Sequence, residues 1–443
     1  MSFCEACGTN IGFFSRKKYR DGAGEVHAYC RPCFRKLPEP GTPLYKACHA
    51  IDRARKANAT TLDLSEHELQ SLPSDLFQFT QLKELNLQGN QLEALPGEIG
   101  QLQALKRLDL SRNDLTALPE ELWRLRALEV LNLQGNRLET ISEDIGQLRA
   151  LQRLDLESNR LERLPRELWQ LQDLDTLALE RNAIKVLPSE IGQLQKLTRL
   201  WVGYCGLETL PPEVFRLQAL EDLSLSGNAL GSLPPEIGHL RQLKQLYIEN
   251  CGLETLPAEI GNLHAVQEMY LEGNGLQSLP PEIGQMKALI NLMLDDVPLS
   301  LKLPMELFQM QSLERLSIWQ DLLDAQPREV AKRVWERDLC CFNDPYSSEV
   351  PTTRRVRAKY PDEARGKGIS GKCYVRFWVD EKGAPYDIWV GPCAAYWRDE
   401  VMEAASQWRF EPRKEDGQFI KTHYGVSMRF KADGEPKDDA ADS

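Results

Sequence analysis

One period organises this chain. The unit LxxLxLxxNxLxxLP begins at Leu82 and restarts every 23 residues, through Leu105, Leu128 and onward to Leu289; the next start, Leu313, comes after 24. A partial copy, TTLDLSEHELQSLP, precedes Leu82. A unit this short cannot bury its own apolar face, so successive copies must stack and fold together. Within LxxLxL the last two leucines sit at period 2 and point inward from a short parallel strand. The asparagine that follows, as at Asn90, Asn113, Asn136, Asn159 and Asn182, turns the chain, and its amide can satisfy backbone groups of neighbouring copies. The EIGQL or ELWRL segment after LP reads as a short helical return.

These residues resemble the leucine-rich repeat family in its LP-containing 23-residue form, over about 60% of the chain. The resemblance implies an α/β solenoid with parallel strands on its concave face, spanning residues 50–340 with its caps. Cys205 and Cys251 take the asparagine site in two copies and read as buried structural thiols. His67 takes it in a degenerate first copy, and Val297 in a copy that carries one extra residue.

Charge follows the same division. Residues 50–349 hold 29 Lys/Arg against 46 Asp/Glu, whereas residues 1–49 carry a net +4 and residues 350–443 a net +1, within a total of −12. Such a balance disfavours a chain that binds nucleic acid along its length. No run of 18 apolar residues is present, so no transmembrane helix is expected. The first residues lack the pattern of a signal peptide, and with 11 cysteines free thiols and metal ligation fit better than a disulfide framework; a cytoplasmic location is expected.

Strand alternation makes the concave face readable. The central outward position is polar or small in the first half (Asn86, Asp109, Asn132, Asp155, Ala178) but becomes Trp201, Ser224, Tyr247, Tyr270, Met293 and Ser317 in the second. The next outward position carries Glu157, Glu180, Glu249, Glu272, Asp295 and Trp319. Strands ~4.8 Å apart would turn Trp201, Tyr247, Tyr270, Met293 and Trp319 into an aromatic and apolar patch rimmed by Glu249, Glu272 and Asp295. The expected ligand is a basic, partly apolar peptide or protein surface.

Before the repeats, Cys4-x-x-Cys7 and Cys30-x-x-Cys33 have the spacing of a four-thiolate tetrahedral zinc site, structural rather than catalytic because no ligand position is left open. The tract FFSRKKYRDG between the pairs reads as a basic hairpin, and CFRKL as a short helix. Knuckle, hairpin and helix together resemble the treble-clef and zinc-ribbon families over residues 1–48.

Beyond Val350 the pattern changes. GKCYVRFWVDEKG and PYDIWVGP read as a hairpin closed at Gly383, WRDEVMEAASQW as a helix, and HYGVSMRFK as a third strand. The VDxxG turn, the WRFxP motif (Trp408, Arg409, Phe410, Pro412), Tyr360-Pro361 and Phe377 resemble the TonB C-terminal domain over 350–433. That resemblance implies a three-stranded α+β module whose free sheet edge takes a peptide by strand addition, or dimerises. Cys373 and Cys393 are expected to face each other across the hairpin, and residues 434–443 to form a disordered acidic tail.

No nucleophile motif, phosphate-binding loop or HExxH is present. A non-catalytic multidomain scaffold of bacterial type, binding a protein or peptide on the concave face, is therefore the leading expectation. The alternatives are a TonB-family role in energy transduction or transport, and a ligase-like or other effector with Cys340 or Cys341 as its thiol.

Overall fold

The structure is a computed structural model of the 443-residue chain. It describes residues 41–318 continuously, and outside that span residues 2–3, 10–11, 17–20, 26–29, 322–323, 325–327, 330, 333–334, 339, 352–354, 371–380, 382–390, 395–410, 414–415, 418–419, 422–430 and 437–438. The chain divides into two units: Met1–Leu276 with Glu282–Leu289, and Gln277–Pro281 with Ile290–Ser443.

In the first unit, β1 (Ser2–Phe3) pairs with β2 (Asn10–Ile11), and β3 (Lys17–Arg20) with β4 (Val26–Tyr29). The second pair is the basic hairpin expected between the two cysteine pairs. Cys4, Cys7, Cys30, Cys33 and the expected CFRKL helix lie outside the described residues. Helix α1 (Pro43–Lys56) starts where Thr42 Oγ1 accepts from the Tyr45 amide and Pro43 presets the first turn. It buries Ala47 and Ile51, and Arg55 fixes it to the first repeat by donating to Asp75 O at 3.3 Å and lying 5.6 Å over the Phe79 ring. The domain boundary expected at residues 48–50 thus falls inside one helix.

Ten three-residue strands follow in this unit, all parallel: β5 (Thr61–Asp63), β6 (Glu84–Asn86), β7 (Arg107–Asp109), β8 (Val130–Asn132), β9 (Arg153–Asp155), β10 (Thr176–Ala178), β11 (Arg199–Trp201), β12 (Asp222–Ser224), β13 (Gln245–Tyr247) and β14 (Glu268–Tyr270). Each residue pairs with the one 23 positions on, so the sequence period is the sheet register. The central leucines (Leu85, Leu108, Leu131, Leu154) are buried.

The asparagines form the expected ladder. Asn136 Nδ2 donates to Leu110 O at 3.0 Å and to Leu133 O at 2.9 Å, while its Oδ1 accepts from the Leu115 amide at 3.1 Å; Asn113 and Asn159 repeat the pattern. Cys205 and Cys251 keep only part of it. Their thiols donate to Leu179 O at 3.2 Å and Leu225 O at 3.3 Å, and burial pushes both thiols up to about 11. The return segments are five-residue 3-10 helices, such as Gly97–Gln101 and Glu120–Arg124, that start at a proline and bury Ile99, Leu122 and Trp123. Their close stacking requires glycine at position 100, where a Cβ would lie 2.7 Å from Glu121 O.

In the second unit, β15 (Asn291–Met293) and β16 (Arg315–Ser317) pair in parallel. The ladder does not stop at Val297. Gln326 supplies a further rung, accepting from the Leu303 amide at 3.1 Å and donating to Leu301 O at 2.7 Å. After β17 (Thr352–Arg354) comes an antiparallel sheet of β18 (Gly371–Val379), β19 (Pro385–Val390), β23 (Thr422–Phe430) and β24 (Lys437–Asp438), in the order β19-β18-β23-β24. Helix α2 (Ala395–Ser406) precedes β20 (Arg409–Phe410), which pairs with β17, and β21 (Lys414–Glu415) pairs with β22 (Gln418–Phe419). The sheet has four strands where three were expected, and the fourth comes from the segment expected to be disordered.

The core of this module holds Val375, Phe377, Val379, Val401, Ala405, Trp408 and Phe410, with the Phe377 and Phe410 rings stacked at 4.7 Å. At the hairpin, Asp380 Oδ1 accepts from the Lys382 and Ala384 amides at 2.9 and 2.8 Å. Gly383 sits at φ +75°, where a Cβ would meet Phe410 O at 2.1 Å, so the VDxxG motif is a turn built for close backbone approach. Cys373 pairs in register with Met428; Cys393, Cys340, Cys341 and the expected helix at Tyr360 lie outside the described residues.

Candidate partner-binding surface

The outward residues of β11 to β14 form one row across four strands. Trp201, Ser224, Tyr247 and Tyr270 are consecutive partners in register. Parallel strands in perfect 23-residue register bring like positions side by side, and Tyr247 and Tyr270 stack with ring centroids 4.6 Å apart and planes 11° from parallel. All three aromatic side chains are half-buried.

The carboxylates are not a solvated rim. They are half-buried, and several hydrogen-bond sideways along the sheet. Ser226 donates to Glu249, and Tyr270 donates to Glu268 Oε2 at 3.0 Å, where Gln245 Nε2 also donates at 3.1 Å. Glu180 Oε1 accepts from Ser224 at 2.6 Å across Gly203. Glu272 is half-buried in the next repeat. Asp222 hydrogen-bonds Trp201 and is 9% exposed, and its Oδ1 has no hydrogen-bond partner. Alternation alone made every outward position solvent-facing. Instead Thr176, Ala178, Asp222 and Ser224 are buried, because the large side chains on neighbouring strands cover the small ones.

Desolvation dominates the electrostatics. Burial raises the carboxyl pKa of Asp155, Glu180 and Asp222, and the Ser224 hydrogen bond only partly offsets this at Glu180. The Tyr247 phenol is raised first by burial and then by the charges of Asp222, Glu268 and Glu249, which places those three carboxylates within electrostatic reach of its ring.

Of the other expected contact residues, Met293 and Asp295 belong to the second unit. Met293 faces outward opposite Ser317 in register, and Asp295 accepts from the Ser317 hydroxyl. Trp319 lies outside the described residues. Four further participants are not marked by the repeat pattern. Arg153 lies over the Trp201 ring at 6.0 Å, two strands away. Arg181 lies over Tyr204 at 5.2 Å, and Tyr204 itself is 49% exposed in a left-handed turn at φ 54°. Glu268, in the third outward column, was passed over because the reading followed only two. Among the described residues no group of three or more His, Cys, Asp or Glu side chains could hold a metal ion, and no helix is long and apolar enough to cross a membrane.

Comparison with known proteins agrees with this geometry. Residues 122–228 and 236–334 match the leucine-rich repeat region family, 57–115 and 80–138 the leucine rich repeat family, and 356–432 the Gram-negative bacterial TonB protein C-terminal family. No curated protein sequence matches the chain. A leucine-rich-repeat protein of Leptospira interrogans is similar at 36% identity and TM-score 0.60, over 66% of this chain and 74% of that one. The Arabidopsis receptor kinase HAESA, solved with the peptide hormone IDA and a co-receptor, is similar at 28% identity and TM-score 0.53, over 61% of this chain and 49% of that one. An internalin of Listeria monocytogenes shares the fold at 16% identity and TM-score 0.55, over 70% of this chain and 96% of that one.

Proposed function

Because this chain belongs to the leucine-rich-repeat family, we propose that it is a non-catalytic scaffold whose concave face binds a basic, partly apolar protein or peptide. The observation that carries the reading is the Tyr247–Tyr270 stack set among Asp222, Glu249 and Glu268. Aromatic area supplies affinity at low entropic cost, and half-desolvated carboxylates select against acidic partners. HAESA, which is similar in fold and sequence, was solved holding a peptide, and this supports the class of ligand.

The test is binding of fluorescent peptides of graded charge by the full chain. Basic aromatic peptides should bind and acidic ones should not, and Trp201→Ala/Tyr247→Ala/Tyr270→Ala should remove the binding. Unchanged affinity in that variant would refute the reading.

The same proposal gives the ends of the chain supporting roles. Cys4, Cys7, Cys30 and Cys33 would hold one structural Zn2+, a donor set of four thiolates that leaves no position for substrate. The hairpin of β3 and β4 would bridge the two pairs. The module at 356–432 would add a second peptide-binding or dimerising surface at a sheet edge. Thiolate ligands and the buried thiols of Cys205 and Cys251 suit a reducing, cytoplasmic setting.

A further inference from the structure

We infer that the concave face recognises one arginine side chain of its partner, seated over Ser224 between Trp201 and Tyr247. This rests on the concave-face reading above and specifies its chemistry.

The protein shows what this surface does with a guanidinium. Arg153 lies 6.0 Å over the Trp201 ring and also pairs with Asp155 at 3.8 Å. The small Ala178, between them in register, leaves room for that reach. The arrangement is aromatic ring, small residue, carboxylate and arginine. On the other side of Trp201 the first three elements recur. Ser224 is the small residue between Trp201 and Tyr247, and Asp222 and Glu180 are the carboxylates beside it. Among the described residues no cation lies over Tyr247, and Tyr270 stacks against it.

Two further observations show that the fourth element is missing. First, the charges do not balance. Across the three outward columns of β10 to β14, Glu180, Asp222, Glu249, Glu268 and Glu272 stand against Arg199 beside Asp222, with Arg181 beside Glu180 at the edge, so five carboxylates meet two cations. Second, Asp222 is 9% exposed with Oδ1 unpartnered, although it already hydrogen-bonds Trp201. A buried carboxylate oxygen without a donor is costly, and a partner's guanidinium stacked on the neighbouring rings would offset its charge through space. Guanidinium fits better than ammonium, because it is planar, stacks on rings and is weakly hydrated, so it leaves water more readily for a half-buried slot.

The experiment selects peptides from a random displayed 12-residue library on the full chain. Each is then remade with every arginine replaced by lysine or by citrulline, and titrated against wild type, Tyr247→Leu and Glu268→Gln. The expected result is that one arginine dominates: lysine in its place weakens binding at least tenfold, citrulline abolishes it, and Tyr247→Leu removes the difference. Peptides that need Tyr247 yet tolerate lysine or citrulline would overturn the arginine assignment and leave the concave-face reading standing. Peptides indifferent to Tyr247→Leu would overturn both. Tyr247 is a half-buried surface residue, and circular dichroism of each variant establishes that the fold is kept.

Discussion

Glu180 accepts a hydrogen bond from the Ser224 hydroxyl at 2.6 Å, although 44 residues and one whole intervening repeat separate them. The carboxylate crosses the space above Gly203, where a Cβ would come 2.8 Å from Glu180 Oε1 and 3.1 Å from Ser226 O. A missing side chain therefore lets two strands that are not neighbours share a proton donor, and fixes a negative charge at the floor of the Ser224 slot. Gly203→Ala should displace Glu180 and weaken binding of a basic peptide several-fold while thermal stability falls only modestly. Calorimetric titration beside a melting curve separates the two effects.

Asp222 links binding to pH and stability. Burial raises its carboxyl pKa, as it does for Glu180 and Asp155, so the folded state binds protons more readily than the unfolded chain. Stability tied to these groups is therefore lost as pH rises through the raised values and regained as it falls. Binding has the opposite dependence, since a protonated carboxyl no longer attracts a cation. Asp222→Asn should raise the Tm near pH 7, lose that advantage in mild acid, and weaken the partner at neutral pH. Melting curves across pH for both proteins test this, and a lower Tm for the variant at pH 7 would count against it.

The asparagine rungs make a prediction about folding. Each buried amide serves three backbone groups, as Asn136 does for Leu110, Leu133 and Leu115. Asn136→Ala leaves buried polar groups unpaired at about 1–3 kcal/mol each. Chemical denaturation should show a loss of about 3 kcal/mol or more. The thiol rungs, held up to about 11, should stay unreactive: iodoacetamide at pH 7.5 should label neither Cys205 nor Cys251 until the chain is unfolded.

At the hairpin of the TonB-like module, Gly383→Ala forces an alanine to φ +75° and its Cβ against Phe410 O. The expected cost is about 2 kcal/mol or more in that module. Limited proteolysis should show cleavage within residues 371–430 at protease levels that leave the repeats intact.

Much of this was legible in the chain because a repeat multiplies its signal. The 23-residue spacing gave strand register, and register alone put Tyr247 beside Tyr270. What escaped depends on reach rather than position. Arg153 finds Trp201 by crossing a strand, which no period encodes. Gln326 escaped because it performs the asparagine's task from a shifted position with one more methylene. The return segments are short and helical as their sequence indicates, and five residues starting at a proline and packed glycine to backbone close as 3-10 turns. The carboxylates were read as a rim because alternation tells in from out, and does not tell which small residues their large neighbours will cover.

The most direct test of the central claim is photo-crosslinking from the stacked tyrosine. Tyr270 is replaced by p-benzoylphenylalanine, which is similar in shape, and Glu236, exposed in the 3-10 helix Pro235–His239, serves as the control position. Irradiation with a basic, arginine-bearing peptide should give an adduct from position 270 that a charge-matched acidic peptide does not give, and none from position 236. Adducts from position 236 alone would contradict the assignment of the concave face as the binding surface.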